Sequence, residues 1–531
     1  MGGEIPTPTL DALARRGVML TQFNTMPTCS PSRAALLTGR DPHRVGLGAM
    51  AELTAPNQRG QRGYEGYLID GVPTLAGELR ELGYATYLSG KWHLGDKLGR
   101  LPVDRGFDRS LAMLHAGADH MSMRGYSPQQ PTAMYVEDER FVELPTPFYS
   151  SDLFVDRLIG FLGERVAAPA QPFFAWLAFT APHSPLQAPD ELLAAQGQRY
   201  EAGWDALRAA RFERQRKLGL VSRDAQLPER WSFVPPWEQL DPGLHAREVR
   251  RMAAYGAMVE GLDRSLARLL EALRLRGELD DTVIVFISDN SAEASDFSQA
   301  PGVRDWFQAN YDNATPNIGR DGSYVFPGSG WAQVSNVPNR LFKGLPTSGG
   351  TRVPAFVVAP GRYRAGGRVG VYTSILDLAP TLLEIAGGSL PDTDGRSLDA
   401  LLRGKVRRVR RDGEGVAIEL LGSAAYVEGD WKAVRLRAPW GSGRWELYDL
   451  KHDPGESRDV AAEHPQVTAR LATSYEAYAR RVGVIDIPAD FQPYPVVFGP
   501  TGGMPESMRP PGMSPGMPPG GGPGGPPVRT R

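Results

Sequence analysis

The sequence predicts an α/β fold, a mostly parallel sheet sandwiched by helices with a small α+β unit after it, on the strength of three observations. Over residues 8–404, apolar runs with strand character alternate with helical periodicity. Two of those runs, residues 173–179 and 282–287, are nearly continuous apolar stretches, as strands buried on both faces are. From about residue 416 the pattern changes to short strand-like pieces followed by one helix. With 531 residues, 41% of them apolar, the chain is long enough to build both units, and collagen-like, coiled-coil and wholly disordered readings are excluded.

Taken in order, residues 10–16 and 74–82 read as helices stopped by Gly17 and Gly83. Residues 86–89 read as a strand, and so do 173–179. A long helix is expected over 248–276, with Tyr255, Met258, Val259 and Leu262 on one face. Strands follow at 282–287 and 355–359, separated by a Gly- and Trp-rich stretch, 297–335, that reads as a long irregular loop. Residues 424–427, 431–435 and 445–450 are short strands, and 466–482 a helix. The expected domains are 1–405 (catalytic, α/β), 406–486 (antiparallel sheet plus helix) and 487–531, a Gly/Pro/Met-rich tail too poor in apolar residues to offset its ordering entropy.

Lys plus Arg number 59 against 61 Asp plus Glu, so the whole chain exerts no pull on nucleic acid or anionic lipid, and neither is expected as a partner. Any anion must be met by a local site. Cys29 is the only cysteine, which excludes an internal disulfide and Cys-based zinc or iron–sulfur centres. No run approaches the roughly 20 apolar residues of a membrane span. Residues 1–6 carry neither a basic nor an apolar signal segment, so the chain as written reads as cytoplasmic.

An isolated cysteine ahead of a helix is ordinarily a packed core thiol. Here Cys29 is followed by Pro31 and Arg33, and if the proline opens a helix, Cys29 and Arg33 share one face. Lys91 and His93, two apart in extended chain after Gly90, point to one side. His183 lies just beyond the 173–179 strand, where α/β sheets place ligands. Asp289 and Asn290 close the 282–287 strand, either as a turn or as a pair of oxygen ligands.

Residues 28–40 match the Cys-x-Pro-x-Arg signature of the type I sulfatases, in which the cysteine is oxidised to formylglycine, and the second signature of that family is matched by residues 83–95. Ala181-Pro182-His183, Ser288-Asp289-Asn290, Lys343 with residues 349–354, residues 377–383, and residues 445–449 with Asp453-Pro454 follow in order. The sequence thus resembles the formylglycine-dependent sulfatases, most nearly the bacterial arylsulfatases of the Pseudomonas type.

The resemblance implies an alkaline-phosphatase-like fold and hydrolysis of a small-molecule sulfate monoester, an aryl sulfate first of all. It implies a formylglycine made from Cys29 by a formylglycine-generating enzyme, and a calcium ion, or magnesium, held by Asp289, Asn290 and the modified Cys29. By the same resemblance Arg33 supports the nucleophile and metal, Lys91 and Lys343 bind the sulfate, His93 takes the proton that triggers sulfate release, and His183 protonates the leaving oxygen. Imidazole suits both histidine roles because its ordinary pKa, about 6.5, lies near working pH. His115 and His120 are candidates for the substrate mouth, with a structural role as the alternative.

Relatives begin with an apolar strand ending in two acidic metal ligands, whereas this sequence runs from Met1 almost directly into the Pro8-Thr9-Leu10 helix. The expectation is therefore a missing first strand, a weakened metal site and a native chain that begins upstream, in which case a periplasmic or secreted location replaces the cytoplasmic one. Two alternatives stay open: a phosphonate monoester or phosphodiester hydrolase using the same nucleophile, and an inactive sulfatase-like binding protein.

Overall fold

The computed structural model describes residues 2–165, 171–223, 225–299 and 303–491. Of the predicted tail, residues 492–531 lie outside the described residues.

Two mixed sheets form the body of the molecule. In the larger, the strand Ala85–Lys91 is buried at every position because it is central, pairing in parallel with Arg109–Met113 on one side and Phe173–Ala178 on the other. Tyr135–Glu137 and Arg140–Val142 extend the sheet antiparallel. In the smaller, Val18–Leu20 lies between Ala355–Val358, antiparallel, and Gly367–Val369, parallel, and Ile284–Ile287 pairs antiparallel at the far edge.

The two apolar runs expected to be buried on both faces, Phe173–Ala178 and Ile284–Ile287, are only half-buried almost throughout. Each is the terminal strand of its sheet. They line the same cavity of about 1730 Å³, which reaches Lys91, His183, Asp289, Asn290 and Lys343. An apolar run alone cannot distinguish a strand flanked by neighbours from one at an edge.

The helix Pro242–Leu275 starts at Asp241, whose carboxylate accepts from the backbone N–H groups of Gly243 and Leu244, and it carries Ala254, Met258 and Leu262 into the main core beside Phe154 and Leu158 of Ser150–Glu164. Its buried Asp263 in turn accepts from the first N–H groups of the helix Pro8–Arg16, at 3.0 Å from Thr9 and 2.8 Å from Leu10. That satisfies donors that a helix start otherwise leaves open. The expected irregular loop over 297–335 contains two helices, Arg304–Asn310 and Gly328–Asn336; the second buries Trp331 against Trp204 and Trp237, so tertiary packing overrides its low helical signal.

The C-terminal unit is a four-stranded antiparallel sheet, Val416–Leu420, Ser423–Glu428, Trp431–Arg435 and Trp445–Asp449, covered by the helix Pro465–Val482 through Leu471, Tyr475 and Tyr478. The first strand is not singled out by sequence because a glutamate interrupts its apolar pattern. Glu419 is buried, 3.0 Å from His43 Nε2, while Asp41 holds His43 Nδ1 at 3.0 Å and itself accepts from the Tyr478 hydroxyl at 2.8 Å. One buried imidazole thus ties the catalytic unit to the C-terminal sheet and helix.

Candidate active site

Cys29 is the first residue of the helix Cys29–Thr38, which ends at Gly39 in the left-handed conformation. Arg33, one turn on, shares its face and is buried. The guanidinium donates to Asp289 Oδ2 at 3.0 Å from Nε and to the Lys91 carbonyl at 2.6 Å, and it lies 5.6 Å from the Trp176 ring. Arg33 therefore joins the nucleophile helix to two sheets: the end of the Ile284–Ile287 strand and the end of Ala85–Lys91.

Lys91 is delivered by a strand that closes on its neighbour only because residue 90 is glycine. A Cβ at Gly90 would sit 2.0 Å from the Ala178 carbonyl oxygen, and its φ of 128° suits glycine. The Lys91 ammonium donates to the Ala116 carbonyl. The chain leaves the strand there, buries Trp92 in the core, and turns at His93 with φ 57°, a conformation that costs a non-glycine residue energy.

His183 follows the Phe173–Ala178 strand, as expected. Its Nδ1 donates to the Ser184 carbonyl at 2.8 Å, which leaves Nε2 facing Lys343 Nζ at 3.4 Å. His120 supports it from behind, its ring between Ser150 Oγ at 2.7 Å and the His183 carbonyl at 3.0 Å. Burial pushes His120 down to about 4, so it stays neutral, a structural part and not a mouth residue. His115 is also buried, and burial lowers its pKa near Asp96, Glu52 and His93.

Lys343, Lys91, His183 and His93 bear on one sulfur. Burial would push the Cys29 thiol up, but Lys343 and Lys91 by charge, and the imidazoles of His183 and His93 beside it, hold it well below the ordinary thiol range. Burial conversely pushes Lys91 down, while Cys29 and Glu293 outweigh burial at Lys343 and push it up. His183 is pushed down by burial and by Lys343. The unmodified Sγ marks where oxygens of an oxidised side chain would stand, and its surroundings fit an anion at that atom.

Three contributors have no sequence signal of their own kind. Glu293 holds Lys343 Nζ at 3.1 Å; its place three residues after Asn290 is the only hint. Glu52 lies 3.2 Å from His93 Nε2 although 41 residues separate them. Tyr126, from the short hairpin of Arg124–Ser127 with Gln130–Thr132, stands 5.7 Å from the His183 ring centroid and 5.4 Å from that of Phe297. Phe307, Tyr324 and Phe326 continue this aromatic wall.

The divalent ion that the resemblance implies fits these residues poorly. Asn290 Oδ1 is 3.3 Å from Cys29 Sγ, and Asp289 Oδ2 is already paired with Arg33 at 2.9 Å. Among the described residues no group of three or more His, Cys, Asp or Glu side chains is arranged to hold a metal. Two side-chain oxygens, one of them engaged by a guanidinium, fall short of the six to eight that calcium takes. The calcium site assigned to Asp289, Asn290 and Cys29 is thus not assembled by these residues alone.

Fold and pocket together define a hydrolytic enzyme of mixed α/β architecture with a cationic pocket for an anionic ester. The chain belongs to the sulfatase family, whose sequence pattern matches residues 1–389, and it is a sulfuric ester hydrolase. It is 36% identical over 511 residues to an uncharacterized sulfatase of Schizosaccharomyces pombe, covering 92% of each chain. To the arylsulfatase of Klebsiella aerogenes it is 36% identical over 390 residues, covering 73% of this chain and 82% of that one. Its fold is similar to the crystal structure of Ps i-CgsB in complex with k-i-k-neocarrahexaose, with a TM-score of 0.63 at 24% identity over 90% of this chain and 87% of that one. That likeness shows the fold: mixed α/β sheets followed by a small C-terminal sheet unit.

Proposed function

We propose that the protein hydrolyses aryl sulfate monoesters through formylglycine at position 29. The observation that carries this reading is the convergence of Lys91, Lys343, His93 and His183 on Cys29 at the start of its helix: a pocket built to hold negative charge at one side-chain atom, in keeping with the downward push on the thiol. Made from Cys29 by a formylglycine-generating enzyme, formylglycine would supply a hydrated aldehyde, one hydroxyl of which attacks sulfur while the other, once deprotonated, expels sulfate and restores the aldehyde.

The chain's own residues do the rest. Lys91 and Lys343 neutralise the nonbridging sulfate oxygens, and Arg33 fixes Lys91 through its carbonyl. His183, whose pKa burial and Lys343 push down, takes up a proton at Nε2 when an anionic ester lies beside it and gives that proton to the leaving oxygen. His93 takes the proton whose loss releases sulfate. Arg33 keeps the Asp289 carboxylate oriented toward the nucleophile helix.

Support for an aryl leaving group comes from Tyr126, which places an aromatic face beside His183 at the head of a wall of four further rings. The arylsulfatase of Klebsiella aerogenes is in keeping with this reading.

The test is peptide mass analysis of active protein together with hydrolysis of nitrophenyl sulfate. Conversion at position 29 lowers the residue mass below that of cysteine, and Cys29→Ala is expected to abolish turnover while keeping the melting temperature. An intact thiol in a fully active preparation, or a dominant activity on phenyl phosphonate, overturns the proposal.

A further inference from the structure

His93 reaches its place by a turn at φ 57°, and a strained backbone fixes where a side chain starts but not how its ring is held. The ring is held from one side only. Nε2 lies 3.2 Å and 3.4 Å from the two oxygens of Glu52, while Nδ1 is buried with no hydrogen-bond partner among the described residues. Glu52 accepts at both oxygens, so Nε2 carries the proton and the lone pair is left on Nδ1, on a ring that stands beside Cys29.

Glu52 is itself held. It sits in the short turn Ala51–Leu53, and the segment around it is clamped at several points. Met50 Sδ meets the Thr28 hydroxyl, at the cap of the Cys29 helix, at 2.8 Å. Farther along, Asn57 donates to the Asp486 carbonyl at 2.7 Å, Gln58 to the Ile485 carbonyl at 2.8 Å, and the Ile485 N–H to the Tyr64 hydroxyl at 3.0 Å. Ala49, Ala55 and Tyr64 pack on Leu420, Leu421 and Ile487. The Glu52 side chain is 34% exposed, yet the segment that carries it is fastened through its neighbours both to the nucleophile helix and to the C-terminal unit.

We propose that Glu52 is a positioning residue that fixes the tautomer and orientation of His93, and that the C-terminal unit contributes to turnover by holding the loop that carries it. The inference rests on the assignment of His93 as the group that takes the proton before sulfate release. A carboxylate in this place acts on kcat and leaves substrate binding alone, because it faces the side of the imidazole turned away from the nucleophile.

The experiment is a double-mutant cycle on the full formylglycine-bearing chain with nitrophenyl sulfate: Glu52→Ala, Glu52→Gln, His93→Ala and the double variant Glu52→Ala/His93→Ala. Glu52→Ala is expected to lower kcat on the order of a hundredfold at unchanged KM. That is less than the roughly 10⁴-fold loss for the buried carboxylate of a serine-protease triad, because solvent reaches Glu52. The double variant is expected to be no slower than His93→Ala alone, since the carboxylate has nothing left to position. Glu52→Gln, the same in shape, controls for local misfolding and should also lower kcat. Additive losses in the double variant, an effect on KM instead of kcat, or an unchanged kcat in both Glu52 variants overturns the role of Glu52. If His93→Ala itself keeps full kcat, the assignment of His93 fails and takes this inference with it, and the two failures are told apart by that single variant.

Discussion

Lys343 Nζ stands 3.4 Å from His183 Nε2 and 3.1 Å from Glu293 Oε2, so one ammonium is shared between an imidazole and a carboxylate that line the same cavity. After the charge at Cys29, Glu293 is the largest influence that opposes burial at Lys343, and it tempers the cation that a sulfate meets.

Removing the counter-charge should therefore tighten anion binding. Glu293→Gln is expected to lower the inhibition constant of free sulfate on the order of tenfold, equivalent to about 1.4 kcal/mol, with product release slowed accordingly. Lys343→Ala should raise KM for nitrophenyl sulfate by at least as much. Steady-state kinetics with sulfate as inhibitor checks both.

His183→Ala should discriminate among leaving groups. Proton donation to the departing oxygen helps a poor leaving group most, so the variant is expected to lose about 10²- to 10⁴-fold on phenyl sulfate and far less on nitrophenyl sulfate. A plot of log kcat/KM against leaving-group pKa should steepen. Parallel lines for the two proteins would remove His183 from the acid role.

Gly90→Ala is expected to break the pairing of two parallel strands. The added Cβ would lie 2.0 Å from the Ala178 carbonyl oxygen, in a backbone conformation that alanine resists. A loss of about 2 to 4 kcal/mol, read from denaturant unfolding, should be accompanied by lost activity, since Lys91 is the next residue.

The junction between the catalytic and C-terminal units should be pH-dependent through His43. Burial alone would push this imidazole down, but hydrogen bonds and charge from Asp41 and Glu419 raise it to about 10. Because the folded value lies above the unfolded one of about 6.5, the stabilisation is fully present below pH 6.5 and is lost as pH rises through 10. The melting temperature should fall over that window. His43→Gln should lower it by several degrees near pH 6 and flatten the fall.

Much of the site is legible in sequence because its chemistry is carried by short, ordered strings. Cys29 and Arg33 share a helical turn, and Asp289 and Asn290 follow a strand, so local geometry already places those pairs, whereas His93 leaves the extended path of Lys91 at φ 57°. Glu52, Glu293 and Tyr126 lie on irregular chain, where spacing carries no periodicity and a glutamate or tyrosine looks like any surface residue. Likewise Val416–Leu420 is hidden by Glu419, which is apolar in neither pattern nor chemistry and is buried only because His43 meets it.

The amino-acid order by itself determined the α/β alternation, the main helices, and the C-terminal sheet and helix, since each depends on local periodicity, while the eight polar side chains from Cys29 to Lys343 were singled out by resemblance to the strings of a family. Tertiary structure alone decided which strands stand at an edge, that Arg33 draws Asp289 to itself, and that Glu52 faces His93. Those outcomes depend on which distant segments come within a few ångströms, and Coulomb and hydrogen-bond energies are fixed by distance in space and not along the chain.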